Sequence, residues 1–334
     1  MMSEMPDATS EKEIPQPGLR VLYIGGWGRS GSTLLDRMLG QVPGFFSLGE
    51  VREIWQSGLR ENRLCGCGAS FRECPFWTRV GAEAFGGWDR LPLAEVLKLW
   101  RAYDRPWALP RLFRRHPTAG TGGGLRRYLS ILERVYRTVG EVSEAKVLVD
   151  SSKLPSHALL VRMLPGVDLR LVHLIRDSRG VAFSWEKPVR DWAARAEPVY
   201  MEKYGPVGAS ARWLLYNEAT SLTRRVGIPY TLLRYEDLVA EPRRGLRQAL
   251  AHAGWPLESA DLSFVTDSEV FLAPNHTVDG NPIRFTEGGM AIRRDDEWRW
   301  KMSRSDRRWV TAITLPELLR YGYPVVVRNG GHRE

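Results

Sequence analysis

The sequence predicts an α/β domain of three layers, with a mostly parallel central sheet between helices and a helical insertion. Three observations predict it. Short apolar runs with β-branched residues recur near residues 23, 147, 172 and 231, and helical periodicity follows each of them. The first run ends in a glycine-rich turn, Gly25–Ser32, that leads straight into a helix. The run at 169–175 ends in a second polar turn beginning Arg176-Asp177-Ser178. Strands that alternate with helices through such turns are the pattern of a doubly wound sheet.

Val21 to Ile24 is a short apolar stretch bounded by glycines, which reads as a buried central strand. Leu34, Leu35, Met38 and Leu39 then recur at helical spacing. In the turn between them, glycines let the backbone bend and approach a ligand closely. The helix offers unpaired N–H groups and the positive end of its dipole, which together make an anion site. Ser30, Ser32 and Thr33 add hydroxyls, and Arg29 adds a planar cation suited to phosphate or sulfate. Gly28, Arg29, Ser30, Gly31, Ser32 and Thr33 are therefore the expected cradle. The turn is P-loop-like: Gly26 and Gly31 have the spacing of G-x-x-x-x-G-K-[ST], but Ser32 stands where the lysine belongs. That lysine reaches β- and γ-phosphates, so its absence counts against ATP or GTP as donor.

The second turn runs Arg176-Asp177-Ser178-Arg179-Gly180-Val181-Ala182-Phe183-Ser184-Trp185. With both turns present, the chain resembles the sulfotransferases that use 3′-phosphoadenosine 5′-phosphosulfate (PAPS), of the soluble bacterial type. In that family a loop like Gly-Arg-Ser-Gly-Ser-Thr-Leu holds the 5′-phosphosulfate. An arginine closing a later strand and a serine eight positions on hold the 3′-phosphate, and Arg176 and Ser184 have that spacing. Two anionic groups at opposite ends of one nucleotide need two cradles, and this chain has one after each of two strands. The resemblance implies PAPS as co-substrate, 3′-phosphoadenosine 5′-phosphate as product, and in-line transfer of a sulfuryl group to a hydroxyl. A sulfate ester carries less charge than a phosphate, so no metal is expected to be required.

After the first helix, Phe45–Leu48 reads as a second strand, and Glu50 follows it beside Gly49. Groups at that end of a parallel strand face the ligand; a helix-capping Glu is the alternative reading. In tyrosylprotein and related bacterial sulfotransferases a Gly-Glu-Glu stretch supplies the general base, and here it reads Gly-Glu-Val. Counted from Arg29, Glu50 takes the place of the second, catalytic Glu; counted from the glycine, it takes the place of the first. Ala145–Asp150 reads as a strand and leads into Ser151-Ser152-Lys153. In the family a lysine after this strand contacts the transferring group, and Lys153 matches it. The expected catalytic set is Glu50, Arg29 and Lys153. His157, on the helix opened by Pro155, is the alternative base or a structural histidine.

Cys65, Cys67 and Cys74 are the chain's only cysteines. Their first spacing is C-x-C and no histidine follows within forty residues, which counts against structural zinc, so no metal ligand is expected. Residues 85–140 break the α/β rhythm: Leu91–Tyr103 and Leu125–Val139 are helical, with prolines and the run Gly120-Thr121-Gly122-Gly123-Gly124 between them. This reads as a helical insertion with a mobile loop, either an acceptor lid or a passive wing. Residues 206–226 read as a helix, Pro229–Leu233 as a strand, and Pro242–Gly254 as an amphipathic helix closed by glycine. Tyr235, in Tyr-Glu-Asp-Leu, matches a family tyrosine near the adenine; a packing tyrosine is the other reading. Asn275–Phe285 reads as a loop over the ligand, with Gly280, Asn281 and Arg284 toward the 3′-phosphate and His276 toward the acceptor. Helices at 303–321 close a single domain spanning 19–325, with a disordered tail over 1–18 and a second tail over 326–334.

Net charge is +9, from 48 Lys and Arg against 39 Asp and Glu, which suits an anionic ligand. The basic residues are scattered with no run of five or six, which counts against nucleic acid. No apolar run of 18 residues appears and the N-terminus lacks a signal peptide's apolar core, so no membrane span and a cytoplasmic location are expected. Trp55, Trp77, Trp100, Trp107, Trp185 and Trp192 can stack on sugar or aryl faces or fill the core. The expected acceptor is a small-molecule, carbohydrate or natural-product hydroxyl. A P-loop small-molecule or nucleoside kinase and a non-catalytic nucleotide binder are the competing functions. Oligomeric state is not legible here.

Overall fold

The computed structural model describes residues 18–114, 122–191, 193, 199–200 and 202–326. The expected tails up to 17 and from 327, the loop at 115–121 and Trp192 lie outside the described residues. In chain order the elements are β1 (Leu19–Gly26), α1 (Ser32–Leu39), β2 (Phe45–Gly49), α2 (Pro75–Phe85), α3 (Leu93–Tyr103), α4 (Leu109–Arg114) and α5 (Gly123–Ser143). Next come β3 (Val147–Lys153), α6 (Pro155–Val161), β4 (Val167–Ile175), α7 (Ser178–Glu186), the two-residue pair β5 (Arg190–Asp191) and β6 (Val199–Tyr200), and α8 (Pro206–Leu222). The chain then runs through β7 (Tyr230–Arg234), α9 (Tyr235–Ala240), α10 (Pro242–His252), β8 (Glu269–Leu272), β9 (Gly288–Ala291), α11 (Trp298–Lys301) and α12 (Arg304–Arg320).

Five strands form the central sheet in the order β2-β3-β1-β4-β7, and every pairing is parallel. All five are the strands that the sequence predicts. β1 is central because both of its faces are apolar, as a strand covered on two sides requires. Val21 and Tyr23 pack with Tyr128, Val135, Leu159 and Leu160 of α5 and α6 on one face. Leu22 and Ile24 pack with Leu35, Met38, Leu246 and Leu250 of α1 and α10 on the other. A third cluster, with Trp27, Ile175, Trp213 and Leu318, seats α7, α8 and α12 around the ends of β1 and β4.

The helical insertion exists, but its helices begin at Pro75 rather than near 85. The antiparallel hairpin of β8 and β9 was not anticipated. Its glycine-rich second strand, Gly288–Ala291, carries too little β propensity to stand out in sequence. Among the described residues, no helix is long and apolar enough to cross a membrane.

Asp36 on α1 is wholly buried; Ser47 donates to its Oδ2, while Oδ1 has no hydrogen-bond partner among the described residues. Burial pushes its carboxyl up to about 7, against the lowering effect of the Ser47 hydroxyl. The folded chain therefore holds a proton that the unfolded chain has released, and stability falls as pH rises from about 4 to about 7. Asp36→Asn removes that loss. Relative to wild type it should gain up to about 4 kcal/mol between those pH values. Urea unfolding of both proteins across that range measures it, and parallel pH profiles would refute it.

Candidate active site

The chain passes from β3 across β1 to β4, so the strand order reverses around β1. A crevice at the carboxyl ends of the strands is expected at such a reversal. It is present, as a cleft of about 410 Å³ lined by Gly28, Arg29, Gly31, Ser32, Thr33, Glu50, Lys153, Arg176, Ser184 and Tyr235, among others. A volume of that size suits a small-molecule or nucleotide ligand.

β1 ends at Gly26, whose φ is 135° and where an added Cβ would sit 2.5 Å from the Leu174 carbonyl oxygen. Only glycine can turn the chain that close to β4. Arg29 and Gly31 then take left-handed φ values of 67° and 87°. For a non-glycine residue that conformation costs about 1–3 kcal/mol, so the fold holds Arg29 under strain. Gly31 caps α1 without a side-chain bond, which leaves the first N–H groups of α1 uncapped at the cleft. Ser30, expected in the cradle, does not line the cleft: its hydroxyl is buried, with no partner among the described residues. The Arg29 guanidinium lies 4.9 Å over the Trp185 ring. Burial draws Arg29 below its ordinary value, and the nearby Glu50 charge offsets part of that.

Glu50 and Lys153 follow or end the adjacent strands β2 and β3, where Gly49 pairs with Asp150. Their side chains form an ion pair inside the cleft. Lys153 also has a left-handed backbone, with φ of 68°. Two of the four non-glycine residues with positive φ among the described residues thus carry cations that line the cleft. Strain of this kind concentrates at functional sites.

Arg176 emerges from the end of β4, 5% exposed. It donates to the Arg29 carbonyl oxygen at 3.1 Å and to the Asp295 carbonyl oxygen at 2.8 Å, and pairs with the Asp295 carboxylate at 3.1 Å. Its guanidinium stands 4.7 Å over the Tyr235 ring. Tyr235 lines the cleft and packs on the loop, where a Cβ on Gly31 would meet its ring at 2.6 Å. Burial works against the Asp295 carboxylate, yet Arg176 and Lys187 hold it below the usual range. Asp177 caps α7 by accepting from the Arg179 N–H at 2.9 Å, which fixes the turn and carries Ser184 to the cleft.

Other expected residues stand elsewhere. Arg284 does not line the cleft. It is buried, and its guanidinium donates to the Thr277 and Leu64 carbonyl oxygens at 2.6 Å each, so it braces the loop instead of reaching a ligand. The loop itself does reach the cleft: the Asn281 N–H donates to the Thr33 hydroxyl oxygen at 3.3 Å, and Gly280 packs beside Glu50. His157 is the structural histidine, wholly buried with Nδ1 2.7 Å from Asp104 and Nε2 3.0 Å from Tyr136. His276 does not line the cleft and lies 3.3 Å from the Cys74 sulfur. No described residue of the 85–140 insertion lines the cleft. Of the tryptophans singled out, Trp185 lines it, while Trp55, Trp77 and Trp100 are core residues and Trp107 is exposed. Arg293 and Asp295 line the cleft too, unforeseen, because Arg293-Arg294-Asp295-Asp296 reads in sequence as a solvated charged turn.

Neither a protein-family model nor a curated protein sequence matches this chain. Among solved structures, the chain is similar to a sulfotransferase domain from the Synechococcus PCC 7002 olefin synthase, with a TM-score of 0.51 and 18% identity over 91% of this chain and 95% of that one. It also aligns with a sulfotransferase domain from the curacin biosynthetic pathway, with a TM-score of 0.48 and 16% identity over 93% and 99%. The first likeness is one of fold: this chain has a sulfotransferase-like α/β fold.

Proposed function

We propose that the cleft binds PAPS and transfers its sulfuryl group to a hydroxyl of a small-molecule, carbohydrate or natural-product acceptor. One observation carries the proposal. Two anion cradles, the Gly28–Thr33 loop and the Arg176–Ser184 pair, open on a single cleft that also holds the Glu50–Lys153 pair. The α1 N-terminus, uncapped by any side chain at the cleft, offers unmet N–H groups of the kind an anion satisfies. PAPS supplies the activated sulfuryl group; everything else is the work of this chain's residues. Arg29, Lys153 and the loop N–H groups orient the anionic end and stabilise charge as it grows on the leaving oxygen. Glu50 accepts the proton of the acceptor hydroxyl through a carboxylate oxygen. Arg176 and Ser184 hold the 3′-phosphate, and Tyr235 flanks the base.

Thermal unfolding with each nucleotide tests this reading against kinase and binder. 3′-Phosphoadenosine 5′-phosphate at a hundred times its dissociation constant should stabilise the protein by about 2.7 kcal/mol. 5′-AMP and ATP at that concentration should do far less. Transfer from PAPS to an alcohol should proceed without added Mg²⁺, because the protein's cations replace the metal's role. Stabilisation by ATP with Mg²⁺ alone would overturn the proposal in favour of a kinase. Binding without transfer to any alcohol or phenol would leave a nucleotide binder.

A further inference from the structure

We propose that Cys65, Cys67, Cys74 and His276 form a structural zinc site. The Cys67 and Cys74 sulfurs are 3.7 Å apart, and the His276 Nδ1 lies 3.9 Å from the Cys65 sulfur and 3.3 Å from the Cys74 sulfur. All four donor atoms fall within 4.8 Å of one another. With zinc–sulfur bonds of about 2.3 Å and zinc–nitrogen bonds of about 2.0 Å, the edges of a ligand tetrahedron are about 3.8 Å between sulfurs and about 3.5 Å between sulfur and nitrogen. The observed separations scatter around those edges. Cys65 and Cys74 are buried and the other two half-buried, as in a closed structural shell. Four protein ligands leave no open position for catalysis, and the site is not part of the cleft lining. A disulfide would use two of the thiols and leave the third thiol and the imidazole without a purpose.

The surroundings hold the histidine in place without using its Nδ1. The Trp77 indole N–H donates to the His276 carbonyl oxygen at 2.7 Å, and Phe76 stacks on the imidazole with centroids 5.1 Å apart. The Gly66 N–H donates to the Thr277 carbonyl oxygen at 3.0 Å. The ion would staple the segment between β2 and α2 to the loop that carries Gly280 and Asn281 into the cleft. Its binding exchanges thiol protons for metal, so affinity falls in acid. The site stands independently of the transferase reading, since it needs neither PAPS nor the cleft residues.

Metal analysis of untagged, full-length protein purified under reducing conditions without chelator tests the proposal. About one zinc per chain is expected, with all three cysteines unreactive to thiol reagents until a strong chelator is added. Removing the metal should lower the melting temperature, and zinc but not magnesium should restore it. Replacement by cobalt(II) should give the visible absorption of a tetrahedral thiolate site. His276→Ala should weaken zinc retention and change that spectrum, and Cys67→Ser should abolish both. Should those variants fail to fold, the wild-type metal content and cobalt spectrum decide alone. Metal-free protein with freely reactive thiols that takes up neither zinc nor cobalt, or a Cys67–Cys74 disulfide in the reduced preparation, overturns the proposal.

Discussion

Replacing Glu50 by Gln should cut turnover by about 10²–10⁴-fold and leave the affinity for 3′-phosphoadenosine 5′-phosphate near wild type. The amide keeps a carbonyl oxygen for Lys153, so the partner of the ion pair stays hydrogen-bonded in the cleft. It keeps the side chain's volume beside Gly280. What it removes is the ability to take a proton. The loss should therefore appear in kcat, with nucleotide binding and thermal stability little changed. Steady-state kinetics on one acceptor with titration calorimetry on the bisphosphate measure both. Near-normal turnover would move the base elsewhere. Both ring nitrogens of His157 are engaged in the core and His276 lies among the cysteines, so neither alternative histidine is placed to serve. Glu53, tied to Arg52, would be the next carboxylate to test.

Arg176→Ala should weaken binding of 3′-phosphoadenosine 5′-phosphate by about 2–5 kcal/mol, or roughly 30-fold to a few thousand-fold. Binding of 5′-AMP should change little, which makes it the internal control. That control matters because Arg176 also donates to the Arg29 carbonyl oxygen and so helps shape the loop. Equal losses for both ligands would mean that the loop had collapsed and that Arg176 does not read the 3′-phosphate. Asp295 gives a converse arm. Its carboxylate now occupies Arg176 at 3.1 Å, so an incoming phosphate must compete with it. Asp295→Asn should tighten the bisphosphate and leave 5′-AMP unaffected.

The strands were legible in the sequence because each is a short run with apolar residues on both faces, and burial on both sides of a parallel sheet demands that composition. The turns at 25–32 and 176–178 were legible because a strand-to-helix turn that exposes N–H groups needs glycine and short polar side chains within a few positions. Every residue named for the two cradles lies on these turns or within two turns of the helices they open, so local spacing was enough to select them. Glu50 and Lys153 were legible one at a time, each from its place after a strand. That they face each other follows from β2 and β3 being neighbours, although Phe46 and its partner Leu148 in register are 102 positions apart in the chain.

Arg284 shows where local reading stops. An arginine in a glycine- and asparagine-containing loop suggests an anion, but the nearby Thr277 carbonyl and the distant Leu64 carbonyl take its two terminal guanidinium nitrogens. The cysteines show the same limit in reverse. Their C-x-C spacing and the lack of a nearby histidine argued against a metal, yet the fold brings in His276, separated from Cys74 by 202 positions. Arg293 and Asp295 reach the cleft because the β8–β9 hairpin delivers the segment after it there, and no short-range pattern encodes that return. Strands, turns and cradles arise from forces acting over a few residues and are written as composition and spacing. Which side chains a loop finally meets is set by where the packed layers bring it, and that depends on the whole chain at once.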